Sequence, residues 1–224
     1  MDKKRLAIQA SSKFAAGLVA LSALMFIPAG TLSFPNAWLL IGLLFVPMLI
    51  VGIVLLVHSP SLLEKRLKDK EEQGEQKLVI ALSGLMFVAA FVVAGLNWRF
   101  GWTRMPAWAV WASAAVFLAS YLMYAEVLRE NAYLSRTIEV QEGQKVIDTG
   151  LYGIVRHPMY SATVLLFLSM PLVLGSLPSF LIMLLYIPII VKRILNEEEV
   201  LSKGLEGYGD YKKRVRYRLV PFIW

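Results

Sequence analysis

Long uncharged apolar runs divide the chain into segments of membrane-spanning length. Four of these runs cover residues 14–34, 36–58, 78–98 and 105–125. A helix needs about 20 apolar residues to cross the hydrocarbon core of a bilayer, so we expect each run to form one span. The pattern therefore predicts an all-α fold, a polytopic transmembrane helical bundle.

A fifth apolar run, residues 159–191, is too long for a single span. It is interrupted at 175–179 by Gly-Ser-Leu-Pro-Ser, a cluster of residues that favour turns. We interpret this run as a tight helical hairpin of two short spans near the C-terminus, with the second helix continuing into 192–201. This gives about six spans. A re-entrant hairpin, which would leave four full spans, is the alternative.

The composition supports a membrane protein and excludes several other classes. The chain is 58% apolar and 17% charged, whereas soluble domains are about 45–50% apolar and about 25% charged. Disorder is excluded because disordered chains are poor in apolar residues. Cysteine is absent, so disulfides, thiolate metal sites and cysteine nucleophiles are excluded. We predict no metal site.

The charged residues are distributed asymmetrically across the predicted spans. Of the 23 Lys and Arg residues, only Arg99 and Arg104 fall on one side of the membrane; all 16 acidic residues share the other side with the remaining basic ones. The positive-inside rule makes the crowded side cytoplasmic, with both termini there. The net charge of +7 is thus explained by topology, and it gives no support for a nucleic-acid partner.

The side chains that could do chemistry are concentrated in the second half of the chain. No glycine-rich nucleotide motif is present, and segment 64–77 mixes charges of both signs, which is typical of a solvated loop or short surface helix. We therefore divide the chain into a scaffold of four spans, 1–125, and a catalytic region, 126–224. Three polar clusters stand in or beside that region, at 124–131, 150–160 and 193–201, and a tail at 205–221 follows the third.

The cluster at 150–160 has features of an anion site. Pro158 suits the first turn of a helix, which places His157 at the cap position. The free amides and positive end of such a helix favour an anion, and Arg156 and His157 add hydrogen-bond donors. A carboxylate or phosphate would fit. The alternative is that Arg156 binds lipid phosphate at the interface and His157 only caps the helix.

The third cluster is acidic and follows a membrane segment. If the helix continues, Arg193 and Glu197 are i, i+4 neighbours on one face. They could form a surface ion pair, or the glutamates could form an acidic patch that faces a cationic, hydroxyl-rich ligand. The residues alone favour neither interpretation.

An ordered set of motifs in the second half resembles a known enzyme family. Gly150-x-Tyr152-x-x-x-Arg156-His157-Pro158-x-Tyr160 is followed by Glu197-Glu198, then Tyr208-x-x-Tyr211, and then Arg214 to Pro221. This order is similar to that of the isoprenylcysteine carboxyl methyltransferases, within a wider group that includes phospholipid N-methyltransferases. The resemblance covers roughly 120–224. One departure is that the family's phenylalanine-glycine pair is not matched at Gly204-Leu205.

The resemblance implies a cofactor and roles for particular residues. The cofactor would be S-adenosylmethionine, bound on the cytoplasmic side, and a lipid substrate would reach it sideways between helices. Arg129 and Arg193 would face the acceptor carboxylate. The implied cofactor contacts are Tyr152, Arg156, His157, Pro158, Tyr160, Glu197, Glu198, Tyr208 and Tyr211.

These expectations define one leading function and three alternatives. The leading one is carboxyl O-methylation of an isoprenylcysteine-like, lipidated acceptor by an integral membrane protein. The alternatives are N-methylation of phosphatidylethanolamine, an NADPH-dependent membrane reductase of the sterol type, and a non-catalytic scaffold. The sequence gives no oligomeric state.

Overall fold

Helices are the only regular elements in the part of the chain that the computed structural model describes, which is residues 3–67, 74–134 and 140–224, without the side chains of 65 and 74–77. The helices are α1 (Lys3–Ala29), α2 (Pro35–His58), α3 (Pro60–Leu67), α4 (Gly74–Phe100), α5 (Ala107–Glu130), α6 (Pro158–Val173), α7 (Leu177–Met183), α8 (Tyr186–Gly204) and α9 (Tyr208–Arg214). A 3₁₀ turn, Gly150–Gly153, precedes α6. The all-α prediction is confirmed.

The helices form an integral membrane bundle. Within the described ranges, five segments are long and apolar enough to cross a bilayer: α1, α2, α4 from Leu78, α5, and Leu177–Gly204, which consists of α7 and α8. A sixth apolar helix, α6, is shorter. Large apolar side chains on these helices point outward, including Val19, Ile50 and Leu122. Such exposure fits a lipid environment, because bilayer hydrocarbon solvates these side chains as well as a core does.

The predicted hairpin is formed by α6 and α7, and its tip reaches the end of the bundle where Arg99 and Arg104 lie. Gly175 turns the chain with a φ of +75°. The buried Asn97, at the end of α4, donates to the carbonyl oxygens of Thr103 at 3.2 Å and Gly175 at 3.5 Å. The tip therefore meets the α4–α5 loop on the far side. This supports about six crossings, and a hairpin that returns halfway does not fit it.

Several helices extend beyond the uncharged runs that predicted them. The first helix begins at Lys3 and ends at Ala29, and α5 continues to Glu130. The length of an uncharged run reflects the thickness of the hydrocarbon core. A helix can continue beyond that core for as long as its backbone hydrogen bonds form. Consequently, the proposed boundary at 125/126 lies inside α5.

Two packed clusters hold the bundle together. The larger joins α1, α2, α4, α5 and α6, and includes Met25, Ala94, Phe117 and Met170. The second lies between α4, α6, α7 and α8. Every fourth residue of α8 from Tyr186 to Glu198 is buried, namely Tyr186, Ile190, Ile194 and Glu198, so one stripe of this helix faces the bundle over these turns.

The continuation of α8 beyond the apolar run is confirmed, since the helix ends at Gly204. The chain then turns back along the bundle through α9 and residues 215–224. Its backbone is joined to the start of α6, because the amides of Arg156 and His157 donate to the carbonyl oxygens of Tyr217 and Arg218, each at 2.9 Å. This pairing positions the tail over the predicted site.

Candidate functional site

A cavity of about 100 Å³ lies at the end of the bundle opposite the hairpin tip, and it measures about 840 Å³ with its open mouth. Its walls come from three parts of the chain: the segment between α5 and α6, the first turn of α6, and α8 with α9. The lining residues are Asn131, Tyr133, Leu134, Gln144, Lys145, Val146, Ile147, Tyr152, Arg156, His157, Met159, Tyr160, Arg193, Glu197, Leu201, Leu205, Tyr208 and Tyr211.

The first structural unit of the site is centred on the Glu198 carboxylate, which is 5% exposed. Its Oε1 accepts from Arg156 Nε at 2.7 Å and from His157 Nε2 at 3.2 Å, while Oε2 accepts from Arg218 Nε at 3.0 Å. A carboxylate only accepts, so His157 carries its proton on Nε2 in this contact. Glu198 thus joins α8, the start of α6 and the tail.

The structure shows which anion is held by the basic residues of the cluster at 150–160. His157 precedes Pro158 at the start of α6, as predicted, but its ring makes no capping bond. The anion that Arg156 and His157 hold is the chain's own Glu198. Arg156 is buried and also donates to the carbonyl oxygens of Val215 and Arg216, at 2.8 and 2.7 Å. It therefore binds the tail as well as Glu198.

A second unit, on the cavity wall, joins α6 to α8 through the Tyr160 hydroxyl. This hydroxyl donates to Glu197 Oε2 at 2.5 Å and accepts from Arg193 Nε at 2.9 Å. Arg193 and Glu197 do share one face of α8, as their spacing predicted. The face is turned to the cavity, where Glu197 is half-buried, so it is not a solvated surface pair.

A third unit consists of tyrosines at the base of the cavity. Asn131 Nδ2 donates to the Tyr152 hydroxyl, and the Tyr211 hydroxyl donates to the Tyr152 carbonyl oxygen, both at 2.8 Å. Burial raises the pKa of Tyr152 to about 12, and burial also raises the pKa of Tyr211. Both phenols therefore stay protonated at physiological pH and act as neutral hydrogen-bond groups.

Tyr208 differs from the other cavity tyrosines because its hydroxyl finds no hydrogen-bond partner among the described residues. The side chain is only 4% exposed and lines the cavity. Burial raises the pKa of this phenol, and the nearby charges of Glu198 and Glu197 raise it further. Because buried hydroxyls are normally bonded, the unmet donor points to a polar group supplied by a ligand.

Three predicted site residues do not line the cavity: Pro158 and Glu198, which lie beside residues that do, and Arg129, which is exposed outside it. The Arg129 side chain is 70% exposed, and it donates to both oxygens of Glu126, at 2.6 and 2.9 Å. Helix α5 continues past the bilayer boundary, so the side chains at its end diverge by about 100° per residue. The continuation turns Asn131 toward Tyr152 and leaves Arg129 outside.

Sequence reasoning missed several residues that shape the site. Asn131 and Met159 adjoin recognised motifs, and Lys145 lies in a segment without a motif. Arg218 belonged to the tail motif but was given no role. No pattern in the sequence marks these positions, because their roles depend on which elements meet. Among the described residues, no group of three or more His, Asp or Glu could hold a metal ion.

Two relatives of this chain are Delta(14)-sterol reductases. The chain is 31% identical over 91 residues to a Delta(14)-sterol reductase from Mus musculus, covering 39% of this chain and 22% of the relative. It is 26% identical over 135 residues to a Delta(14)-sterol reductase from Methylotuvimicrobium alcaliphilum, covering 54% of this chain and 32% of the relative. The chain spans less than a third of the length of each.

The family comparison concerns the region that forms the site. Residues 107–206, from the start of α5 to the loop after α8, match the family described as phospholipid methyltransferase. This match contains the Arg-His-Pro segment, the hairpin and the Glu-Glu segment, and it confirms the resemblance seen in the motifs. The 107–206 region of this chain is thus similar to the phospholipid methyltransferase family, within the wider group that includes the isoprenylcysteine carboxyl methyltransferases.

Proposed function

We propose that this protein is a membrane methyltransferase that transfers a methyl group from S-adenosylmethionine to an acceptor held in the bilayer. The observation that carries the proposal is the family match over 107–206, which coincides with the elements around the cavity. All cavity-lining residues lie between 131 and 211. This supports 126–224 as the catalytic region and the first four spans as its scaffold. The distribution of charges in the sequence supports a site on the cytoplasmic side.

The cavity residues suit such a cofactor. The cavity itself is about 100 Å³, smaller than typical small-molecule sites of about 300–1,000 Å³, so a cofactor would also occupy its open mouth. Glu197 offers a carboxylate for ribose hydroxyls or positive charge, the Tyr208 hydroxyl offers an uncommitted donor, and Tyr152 and Tyr160 offer aromatic faces. When bound, S-adenosylmethionine would supply an electrophilic methyl group on a sulfonium that is already a good leaving group.

The chain's contribution to the reaction is positioning. Methyl transfer needs chiefly an in-line approach at close range. Arg193 lies on the cavity wall, and its guanidinium is suited to hold a carboxylate by two parallel bonds. A carboxylate is ionised at neutral pH and needs no base, so we take a lipidated carboxylate of the isoprenylcysteine type as the acceptor. Arg193 alone would hold it, because Arg129 lies outside the cavity.

N-methylation of phosphatidylethanolamine is the second acceptor hypothesis, and the family's description favours it. In that case Arg193 would face the lipid phosphate. The amine would have to lose a proton before it could attack. His157 lines the cavity and is one candidate proton acceptor, although its Nε2 is bonded to Glu198. Glu126, another candidate, is paired with Arg129 outside the cavity.

A membrane reductase that uses NADPH is the second candidate activity. The specific observation in its favour is that the curated relatives reported above are sterol reductases. The identity to them is low, at 31% and 26%, whereas the methyltransferase family match falls on the residues from α5 to the end of α8 that surround most of the cavity. Binding of the two cofactors therefore separates the two activities.

The test uses the purified full-length protein in detergent. Calorimetry with S-adenosylhomocysteine and with NADPH should show binding of the first and none of the second; the reverse result would overturn the methyltransferase proposal. Radiolabelled S-adenosylmethionine is then supplied with a farnesyl-cysteine analogue or with phosphatidylethanolamine. A base-labile methyl ester on the analogue would support the carboxylate acceptor, and methylated phosphatidylethanolamine alone would replace it with the amine.

Changing Tyr208 to phenylalanine separates a ligand-binding role from a structural one. The hydroxyl makes no bond within the described protein, so its loss should leave the unliganded protein as stable as before or more stable by about 1 kcal/mol. Affinity for S-adenosylhomocysteine should fall by roughly fivefold to tenfold, the value of one hydrogen bond. Thermal unfolding and calorimetry measure the two effects.

The matched control for this experiment is Tyr211→Phe. The Tyr211 hydroxyl is bonded to the Tyr152 carbonyl oxygen at 2.8 Å, so its removal should lower the unfolding temperature. If Tyr208→Phe also destabilised the unliganded protein while leaving affinity unchanged, the hydroxyl would have an internal role and the ligand contact would be refuted.

A further inference from the structure

The segment after α9 combines clustered positive charge with exposed apolar side chains. Five basic residues fall within 212–218, and an entirely apolar stretch, 219–224, follows them. Phe222 is 87% exposed and Ile223 is 79% exposed, higher than any other large apolar side chain among the described residues. The basic residues are Lys212, Lys213, Arg214, Arg216 and Arg218. We call residues 212–224 the basic–apolar tail.

The apolar end of this tail is a closed loop that holds its side chains outward. The carbonyl oxygen of Trp224 accepts from the amides of Arg218, Leu219 and Val220 at 2.8, 2.9 and 3.2 Å. The Arg218 guanidinium lies 5.0 Å from the centre of the Trp224 ring. Phe222 has a φ of +67°, a left-handed conformation that costs about 1–2 kcal/mol for a side chain of this kind. The fold therefore maintains a strained turn that leaves the side chains of Phe222 and Ile223 largely exposed, with the Phe222 ring centre 5.3 Å from that of Tyr217.

The loop lies at the depth of the membrane boundary. Ser161, in the first turn of α6, donates to the carbonyl oxygen of Leu219 at 2.7 Å. Helix α6 has 16 residues and is thus about 24 Å long, less than the hydrocarbon core of about 30 Å. With the hairpin tip at the far edge of that core, the first turn of α6 sits at or inside the near edge. Leu219 and Trp224 also pack on the cluster between α4, α6, α7 and α8, which fixes the loop against the bundle.

We propose that the basic–apolar tail is a docking element for an anionic lipid surface. Phe222 and Ile223 enter the boundary between headgroups and acyl chains. The exposed Arg216 contacts anionic headgroups, together with Lys213 and Arg214, which in the described structure pair with Asp210 and Asp148, each at 2.8 Å. Both halves are needed, because an apolar contact of this size is weak alone and a basic cluster adds electrostatic attraction. An anionic leaflet also matches the predicted cytoplasmic side of the site. The inference is independent of the proposed activity.

Docking of the tail bears on the cavity through the backbone. The same segment supplies the carbonyl oxygens of Val215, Arg216 and Tyr217, which bind Arg156, and that of Arg218, which binds His157. A bilayer that holds the tail would therefore also hold these residues on the cavity wall. Contact with a lipid surface would thus stabilise the positions of Arg156 and His157 on the cavity wall.

The absence of cysteine from the chain allows a single-label test. An Ile223→Cys variant of the full chain is labelled with an environment-sensitive fluorophore and reconstituted in phosphatidylcholine with increasing phosphatidylglycerol. Leu122→Cys, on the lipid-facing side of α5, and Glu142→Cys, at an exposed loop position, are the embedded and aqueous controls. Brominated lipids report contact with acyl chains.

We expect the label at 223 to shift to the blue and to be quenched by brominated lipids as phosphatidylglycerol rises, while the label at 142 stays aqueous. Lys213→Gln and Arg216→Gln should each raise the phosphatidylglycerol fraction needed for half of the shift, with the apparent affinity falling about fivefold per basic side chain. The Leu122 label and size-exclusion chromatography show that each variant is still folded and inserted.

Two outcomes would overturn the proposal. In one, the label at 223 behaves like the label at 142 in every bilayer. In the other, it is shielded equally in neutral and anionic bilayers and the shielding grows with protein density, which would assign the loop to a contact with a second copy of the chain.

Discussion

Replacing Glu198 by alanine should destabilise the protein by about 3–5 kcal/mol, the cost of breaking a buried ion pair from one side. The change leaves Arg156 and His157, both buried, without their acceptor, and it frees Arg218 as well. The tail would lose its side-chain link to α8. We expect a lower unfolding temperature, faster tryptic cleavage within 212–218 and loss of cofactor affinity.

The neighbouring glutamate provides the control. Glu199 is 62% exposed and pairs only on the surface, with Lys203 at 2.5 Å. Glu199→Ala should therefore leave the unfolding temperature and the cleavage rate nearly unchanged. Glu198→Gln keeps the shape of the side chain but removes its charge. Its unfolding temperature and cleavage rate should therefore lie between those of Glu198→Ala and Glu199→Ala. Identical behaviour of the alanine variants at 198 and 199 would refute the central position that we give to Glu198.

Replacing Gly95 by alanine should force α1 and α4 apart. A Cβ at this position would lie 2.5 Å from the carbonyl oxygen of Met25 and 3.0 Å from the Pro28 Cβ. The first of these is backbone and has no alternative rotamer, so the helices themselves must move. Overpacking of this kind costs about 1–3 kcal/mol, measured as a lower unfolding temperature of the purified protein in detergent.

Gly84 lies on the same helix and tests whether the effect is local. A Cβ there would meet nothing within 4 Å. Because alanine is a better helix former than glycine by about 1 kcal/mol, Gly84→Ala should leave stability unchanged or raise it. Equal destabilisation by both changes would mean that α4 tolerates no alanine for reasons unrelated to its contact with α1.

The course of the chain through the membrane could be predicted from the sequence because it depends on a periodic, local property. Uncharged runs gave the spans, and the turn residues at 175–179 gave the hairpin. Pro158 gave the first residue of α6, which the structure confirms. The ends of the helices could not be predicted in the same way. Helices α1 and α5 include charged residues at one end, and there hydropathy does not indicate whether the helix continues.

The division of labour between adjacent site residues could not be predicted. Glu197 and Glu198 point about 100° apart on α8, so only one of them can face the cavity, and the sequence gives no preference. The structure places Glu197 on the cavity wall and Glu198 behind it. In the same way, the sequence does not indicate whether Arg129 and Arg193 face the cavity. The contact between the tail and the start of α6 could not be predicted either. It consists largely of hydrogen bonds to backbone carbonyl groups, which any sequence would supply.

The position of Tyr208 and Tyr211 in the chain has a consequence for biosynthesis. Both line the cavity, yet they follow α8 in chain order. The spans up to α8 can therefore leave the ribosome and enter the bilayer before the cavity has its final wall. A product that stopped after Gly204 would be an inserted bundle with an incomplete site, so membrane insertion and the appearance of a finished site are separate events in the life of this protein.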